Sequence, residues 1–377
     1  MAGRSARRSG AGDRIAAMVD EKLAQGLEYE ALQLYRGQAA RRAARGNFGE
    51  AAGIAEAGAA ELMNRGYVDA GTELAIQMVD VLCANHVPPT DESRDRVRRI
   101  NELYAAASER QAASTGDAGG TTAADTRCAT KGKEDGAGQG LAAAAVALGT
   151  AALPDTPAAI SSPAPAAAAA AATAAPAIAT SSDAAAGPGA KLPVAQLQVR
   201  FLKAASKWGH AEGEWVHGDP ELAALLGRAL MAQKELDLAV KYLVIGERPE
   251  EAVDGIWTAL PGRGQARAAR ERQATRAILH FLMLGNMRDA NKTLDRVRQR
   301  LGKDSEPPLI VFCGMLLLTC ERSAAPVFPK LLEMFVGNLS TDPRLNTYLG
   351  SIGQRYFDIQ PPKTMMDSIM AMVSPAA

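Results

Sequence analysis

Three glycines, Gly26, Gly46 and Gly66, fall one every 20 positions, and each opens a similar segment: Gly-Leu-Glu-Tyr-Glu-Ala, Gly-Asn-Phe-Gly-Glu-Ala and Gly-Tyr-Val-Asp-Ala. That interval holds one helix and a tight turn, so two intervals make a helix pair of about 40 residues, within the range of helical repeats. Glycine supplies the left-handed residue that ends one helix, and the acid that follows favours the start of the next through the helix dipole. The pattern predicts antiparallel helices, each lying against its neighbours.

Apolar spacing agrees, and strand signals are almost missing. Ile15, Met18, Val19 and Leu23 lie at helical intervals, as do Leu74, Ile76, Met78, Val79, Val81 and Leu82. Further on, Val199, Leu202 and Trp208 share a helix, and Asp219-Pro220-Glu221 reads as a helix start: aspartate caps, and proline fits the first position, where no donor is needed. Asp342-Pro343 repeats the device, while Lys234-Glu-Leu-Asp-Leu-Ala and Asn286-Met-Arg-Asp-Ala echo the early turns. The expected fold is all-α, a solenoid of antiparallel helix pairs of the TPR or HEAT kind.

Between Gln111 and Leu192 alanine, glycine, serine, threonine and proline take over and aromatic residues vanish. Such a stretch buries too little side-chain surface to offset its ordering entropy, which predicts a disordered insert. Runs such as Ala166 to Ala172 favour helix locally, but Pro154, Pro157, Pro163, Pro165, Pro176 and Pro188 interrupt anything longer. The glycines of 136–140 lack the Lys-Ser/Thr that a phosphate loop needs. The expected organisation is a tail (1–12), a first helical half (13–110), the insert (111–192), a second helical half (193–363) and a closing tail (364–377). The two halves read as one solenoid with a long loop, which is thermodynamically tolerable because closure entropy grows only logarithmically with length. Whether the halves keep a fixed mutual angle stays open at this point.

The 42 lysines and arginines balance 42 aspartates and glutamates, so no overall field draws the chain to nucleic acid or an anionic membrane. The longest apolar run, Pro308 to Thr319, falls short of the ~20 residues of a membrane-spanning helix, and no direct membrane insertion is expected. The opening MAGRSARRSG lacks the apolar region of a secretory signal; it reads as a frayed tail, with a transit peptide as the alternative. Cys83, Cys128, Cys313 and Cys320 form no C-x-x-C pair, which suits reduced thiols in the cytosol.

No serine or cysteine stands beside His86, His210, His217 or His280 in a nucleophile signature, so no catalytic residue and no cofactor are expected. His210, Glu212, Glu214, His217 and Asp219 are metal-ligand types, but their spacing fits no common motif and Asp219 already has a capping role; a solvated loop is the expectation. Lys22, Arg36, Arg41, Arg42 and Arg45 form a basic zone flanked by Tyr29 and Tyr35, either a docking face or an ordinary solvated helix face. Glu250 to Gln265 breaks helical phasing and carries Ile256, Trp257 and Leu260 before Pro-Gly-Arg-Gly; it suggests a projecting hairpin with Trp257 as an interface anchor, or plain packing of that ring. The run from Leu309 to Leu318, then Phe328, Leu331, Leu332 and Phe335, suggests a buried end cap or a surface covered by a partner.

Several segments resemble one family, component four of the guided-entry pathway for tail-anchored membrane proteins, also known as a Golgi-to-ER traffic protein. They are YEALQLYR (Tyr29 to Arg36), AGTELAIQMVDVL (Ala70 to Leu82), FLKAASKW (Phe201 to Trp208), HGDPELAALLGRAL (His217 to Leu230), RAILHFLMLGNMRDAN (Arg276 to Asn291) and LNTYLGSIGQRYF (Leu345 to Phe357), followed by Pro361-Pro362-Lys363. The resemblance implies a right-handed helical solenoid without catalytic activity, a cytosolic scaffold whose first half docks the dimeric targeting ATPase of that pathway. It implies that the second half binds a ubiquitin-like adaptor, or a larger ubiquitin-like chaperone scaffold, that recruits the client's chaperone. The docking surfaces it suggests are Lys22, Tyr29, Arg36, Arg41, Arg42 and Arg45 for the ATPase, and Ile256, Trp257, Phe312, Leu316, Phe335 and Tyr348 for the adaptor. A nucleic-acid-binding repeat would need one basic or stacking residue recurring at each repeat, and the basic zone lies only at one end. An enzyme assembled across helices would need paired Glu-x-x-His motifs, which the chain lacks.

Overall fold

A computed structural model describes residues 17–117, 192–262, 264–302 and 306–359, and every regular element among them is helical. Before the insert run α1 (17–24), α2 (Glu28–Ala43), α3 (Phe48–Asn64), α4 (Val68–Ala84) and α5 (Asp91–Asp117). After it come α6 (Val194–Ala211), α7 (Pro220–Ala232), α8 (Leu236–Ile245), α9 (Pro249–Ala259), α10 (Gln265–Leu284) and α11 (Met287–Leu301). The last are α12 (Pro308–Glu321), α13 (Val327–Met334), the single turn α14 (Val336–Leu339) and α15 (Arg344–Phe357). The solenoid expected from the sequence is the fold observed. Helix α5 continues to Asp117, seven residues past the edge read from composition; residues 118–191, where the low-complexity reading falls, lie outside the described residues.

The turns explain the spacing. Gly26, Gly46 and Gly66 have φ of 73°, 78° and 92°, the left-handed region where a side chain is costly. After each, the next residue donates its N–H to a carbonyl five positions back: Leu27 to Lys22 (2.9 Å), Asn47 to Arg42 (3.1 Å) and Tyr67 to Leu62 (2.9 Å). This bond is the signature of a Schellman helix end. The series has a fourth member that the glycine pattern could not reveal. His86, a further 20 residues on, holds φ 52°, and Val87 closes the same bond to Leu82 at 3.0 Å.

Neighbouring helices approach closely where one presents a glycine. A methyl on Gly58 would lie 2.6 Å from Cγ of Tyr35, so α3 leaves the space that the α2 ring fills. Gly227 of α7 is held in the same way against Leu243 of α8. The two halves are joined through one core: Leu82, Ile100 and Tyr104 belong to the same buried cluster as Phe201, Leu202, Trp208 and Leu222. Helix α6 packs on α4 and α5. At this junction the Tyr104 and Phe201 rings lie 5.9 Å apart, Trp208 Nε1 donates to the Val87 carbonyl at 2.9 Å, and Gln198 donates to Asn101 at 2.9 Å. The mutual angle of the halves is therefore set by continuous packing and is not left to the insert.

A second cluster surrounds α10, which meets α8, α9, α11, α12 and α15 and is buried at 274–275 and 277–282. Helix α15 closes the end by returning to α10: Arg355 Nη1 donates to the Met283 carbonyl at 2.7 Å, and Arg276 reaches Asp342 at 2.5 Å. His280 is 6% exposed in this interior, with Tyr348 stacked 5.6 Å away, and burial lowers its pKa to about 4. The unfolded chain takes up this proton near pH 6.5 and the folded one near 4, so this group favours unfolding progressively as pH falls through that window. The expected loss is roughly 2 to 3 kcal/mol between about pH 7 and about pH 4.5, absent from His280→Gln. Denaturant titrations of both proteins at both pH values check it; equal slopes would refute it.

Candidate docking surfaces

The amino-terminal basic zone is less cationic than its sequence. Lys22 pairs with Glu30 at 2.8 Å, Arg36 with Glu73 of α4 at 3.6 Å, and Arg42 with Glu50 of α3 at 2.5 Å. Arg41 and Arg45 are exposed and make no ion pair among the described residues. Arg41 sits in the last turn of α2, where the helix dipole favours a cation, and Arg45 in the turn that Gly46 closes. The free charge of the zone is therefore concentrated at the α2–α3 turn.

Tyr29 and Tyr35 part company. Tyr35 is half-buried, its phenol pushed up in pKa chiefly by burial. Tyr29 is 68% exposed and stands with Leu32, Met63, Tyr67 and Leu197 around a cavity of about 510 Å³ whose rim carries Glu28, Asp69 and Glu73. This apolar hollow, whose charged lining also includes Arg110, was not legible in the sequence, because Leu197 comes from the far side of the insert. Tyr29 belongs to the hollow rather than to the cationic turn.

The adaptor surface needs correction. Ile256, Phe312 and Leu316 are each 0% exposed and form part of the second core cluster, so they pack the solenoid and cannot meet a partner. Residues 249–259 form α9, begun by Pro249 at its first position, and Gly262 (φ 106°) and Gly264 (φ 69°) precede α10; among the described residues no hairpin projects here. Trp257 lies partly buried with the Arg270 guanidinium 5.6 Å over its ring. Phe335 rests on Phe312 at 5.4 Å and Tyr348 on His280 at 5.6 Å, both partly covered. Trp257, Phe335 and Tyr348 are thus accessible in part, each against different neighbours.

The open apolar surface lies elsewhere. Met315 and Leu318, on one stripe of α12, are 42% and 52% exposed, and Val327, Met334 and Val336 are 47%, 72% and 64% exposed. Helices α13, α14 and α15 enclose a trough of about 350 Å³ lined by Phe328, Leu332, Val336, Leu349 and Ile359. On the loop between α6 and α7, Glu212 is taken by His86 at 3.0 Å, and Asp219 caps α7 and binds Arg94 at 2.8 Å. Among the described residues no group of three or more His, Cys, Asp or Glu side chains is placed to hold a metal ion. Cys313 and Cys320 are buried, their thiols pushed up to about 12 by desolvation. Cys128 lies outside the described residues. No described helix is long and apolar enough to cross a membrane.

The family model described as Golgi to ER traffic protein 4 matches residues 168–374. Protein GET4 of Arabidopsis thaliana is 26% identical over 359 residues, covering 92% of this chain and 90% of its own length. The Golgi to ER traffic protein 4 homolog of Homo sapiens is 28% identical over 177 residues, 46% of this chain and 54% of that protein. The homolog of Dictyostelium discoideum is 24% identical over 164 residues, 43% and 52% of the two chains. Among solved structures, the crystal structure of C. therm. Get4 superposes with a TM-score of 0.60 at 20% identity, over 97% of this chain and 96% of that one, a likeness of fold.

Proposed function

We propose, starting from the fact that this chain belongs to the Golgi to ER traffic protein 4 family, that it acts as a non-enzymatic, cytosolic scaffold in the delivery of tail-anchored membrane proteins to the ER. Its two ends hold different partners. The amino-terminal turn bearing Arg41 and Arg45 docks an acidic face of the targeting ATPase, with Lys22, Arg36 and Arg42 held in ion pairs beneath it. The carboxy-terminal end docks the ubiquitin-like adaptor across the open stripe of α12, Met315 and Leu318, with the partly accessible Trp257, Phe335 and Tyr348 as further candidates in the same half. The observation that carries this reading is the open apolar stripe of α12, Met315 and Leu318, near one end of the helix stack, together with the exposed Arg41 and Arg45 of the α2–α3 turn, which make no ion pair among the described residues. A helix stack with two occupied ends works by proximity, raising the effective concentration of donor for acceptor.

The test is co-purification from cytosolic extract with the full chain, with Arg41→Glu/Arg45→Glu and with Met315→Asp/Leu318→Asp. All four positions are exposed, so the fold should survive. Charge reversal should weaken the ATPase by about tenfold or more and leave the adaptor in place, because like charges at an interface act on one partner only. The apolar-to-acid pair should do the reverse. Both partners retained by both variants, or recovery of RNA in their place, refutes the assignment.

A further inference from the structure

Arg267, Arg270 and Arg300 line a small cavity of about 90 Å³ among α9, α10, α11 and the start of α12, together with Trp257 and a single acid, Glu271. We propose that this cavity binds one tetrahedral oxyanion of the phosphate class.

The charge balance leaves room for an anion. Three residues bearing guanidinium groups share the lining with one carboxylate, and that carboxylate is engaged: Glu271 accepts the N–H of Leu309 at 3.0 Å. Arg270 donates to the Gly262 carbonyl at 2.6 Å, a neutral acceptor, and its guanidinium is held 5.6 Å over the Trp257 ring. Arg300 shares Asp254 with Arg296, at 2.6 and 2.7 Å, so two guanidinium groups meet one carboxylate and one positive charge stays in excess. Arg267 and Arg270 also lie in the first two turns of α10, which carries no acid in its first turn, so both oppose the helix dipole. A bound anion offsets that cost.

Size and wall chemistry narrow the occupant. A cavity of about 90 Å³ holds a few waters or one compact anion, and lies well below the ~300 Å³ at which clefts for larger ligands begin. The apolar part of the wall, Trp257, Val297, Leu301 and Ile310, keeps out some of the water that would screen the charges. Arginine suits the task because its planar fork meets two phosphate oxygens at once and keeps its charge at any physiological pH. Inorganic phosphate and a phosphoryl group on a peptide present the same oxygens.

Tryptophan fluorescence of the full chain, titrated with sodium phosphate and with sodium chloride at matched ionic strength, tests this. Phosphate should saturate the wild type with a Kd of order 1 mM, while chloride should give no saturable change. Trp257→Phe should remove the response, which places it at this cavity. Arg300→Gln, at an exposed position, should weaken binding by about tenfold with the fold intact, and Arg270→Lys, which keeps the charge and loses the fork, by at least about fivefold. Arg298→Gln removes an equal charge from the same helix end but outside the cavity lining, and should bind within about twofold of wild type. A short peptide with one phosphoserine, compared with its unphosphorylated form, separates the sources: tighter binding than inorganic phosphate makes the ligand a phosphorylated protein segment, and weaker binding makes it the free anion. The proposal is overturned if phosphate does no more than chloride, if Trp257→Phe keeps the response, or if Arg300→Gln and Arg270→Lys bind phosphate as tightly as wild type.

Discussion

Trp208→Ala should destabilise the protein by about 4 kcal/mol, the upper part of the range for deleting a buried aromatic side chain. The indole is 1% exposed, fills the common core of α4, α5 and α6, and donates Nε1–H to the Val87 carbonyl at 2.9 Å. Its removal opens a cavity and strands that carbonyl at once. The carbonyl also sits just beyond the left-handed His86, so the turn that ends α4 loses a tie to the second half. Trp208→Phe keeps most of the volume and loses the hydrogen bond, and should cost about 1 to 2 kcal/mol. Chemical denaturation of both variants measures the difference. A loss below about 1 kcal/mol for Trp208→Ala would mean that the halves do not depend on this contact.

Asp219→Ala should cost about 3 kcal/mol through a different mechanism, the loss of a buried ionic cap. Its side chain is fully buried, accepts N–H bonds from Glu221 and Leu222 at 3.0 and 3.2 Å, and binds Arg94 Nε at 2.8 Å across the junction. The guanidinium it would abandon is only 20% exposed and keeps Asp91 as its remaining partner. Asp219→Asn retains an acceptor for the helix start and removes the charge, so it should lie between wild type and alanine. The double mutant Arg94→Met/Asp219→Asn should recover part of the loss, because no unpaired buried charge remains. Additive single and double losses would show that the pair is not coupled.

Both effects sit on contacts that no local pattern announces. Asp219 declared itself as a cap through Asp-Pro-Glu, yet its partner Arg94 lies on the other side of the insert, where nothing in the spacing points to it. The turns were legible where glycine takes the left-handed position, at 26, 46 and 66, and at the echo that begins with Lys234, and illegible at His86, Glu247 and Ser323, which hold φ between 49° and 54° with ordinary side chains. Tertiary packing imposes those conformations against local preference. The same limit explains the surface residues. Helix α12 is apolar on every side, so sequence could not separate Phe312 and Leu316, which face α10 and α13, from Met315 and Leu318, which face outward. Ile256 followed the same logic on α9. Conversely, Arg36 and Arg42 looked free because their acids, Glu73 and Glu50, belong to other helices.

The shared core at the junction also has a consequence for the order of synthesis. Leu82, Ile100 and Tyr104 emerge from the ribosome long before Phe201 and Trp208, which are the side chains that cover them. With the insert in between, translation at about 5–20 residues per second leaves that apolar surface bare for roughly 5 to 20 seconds. For that interval the nascent amino-terminal half carries an uncovered apolar face, and each residue removed from the insert should shorten its exposure by the time of one elongation step.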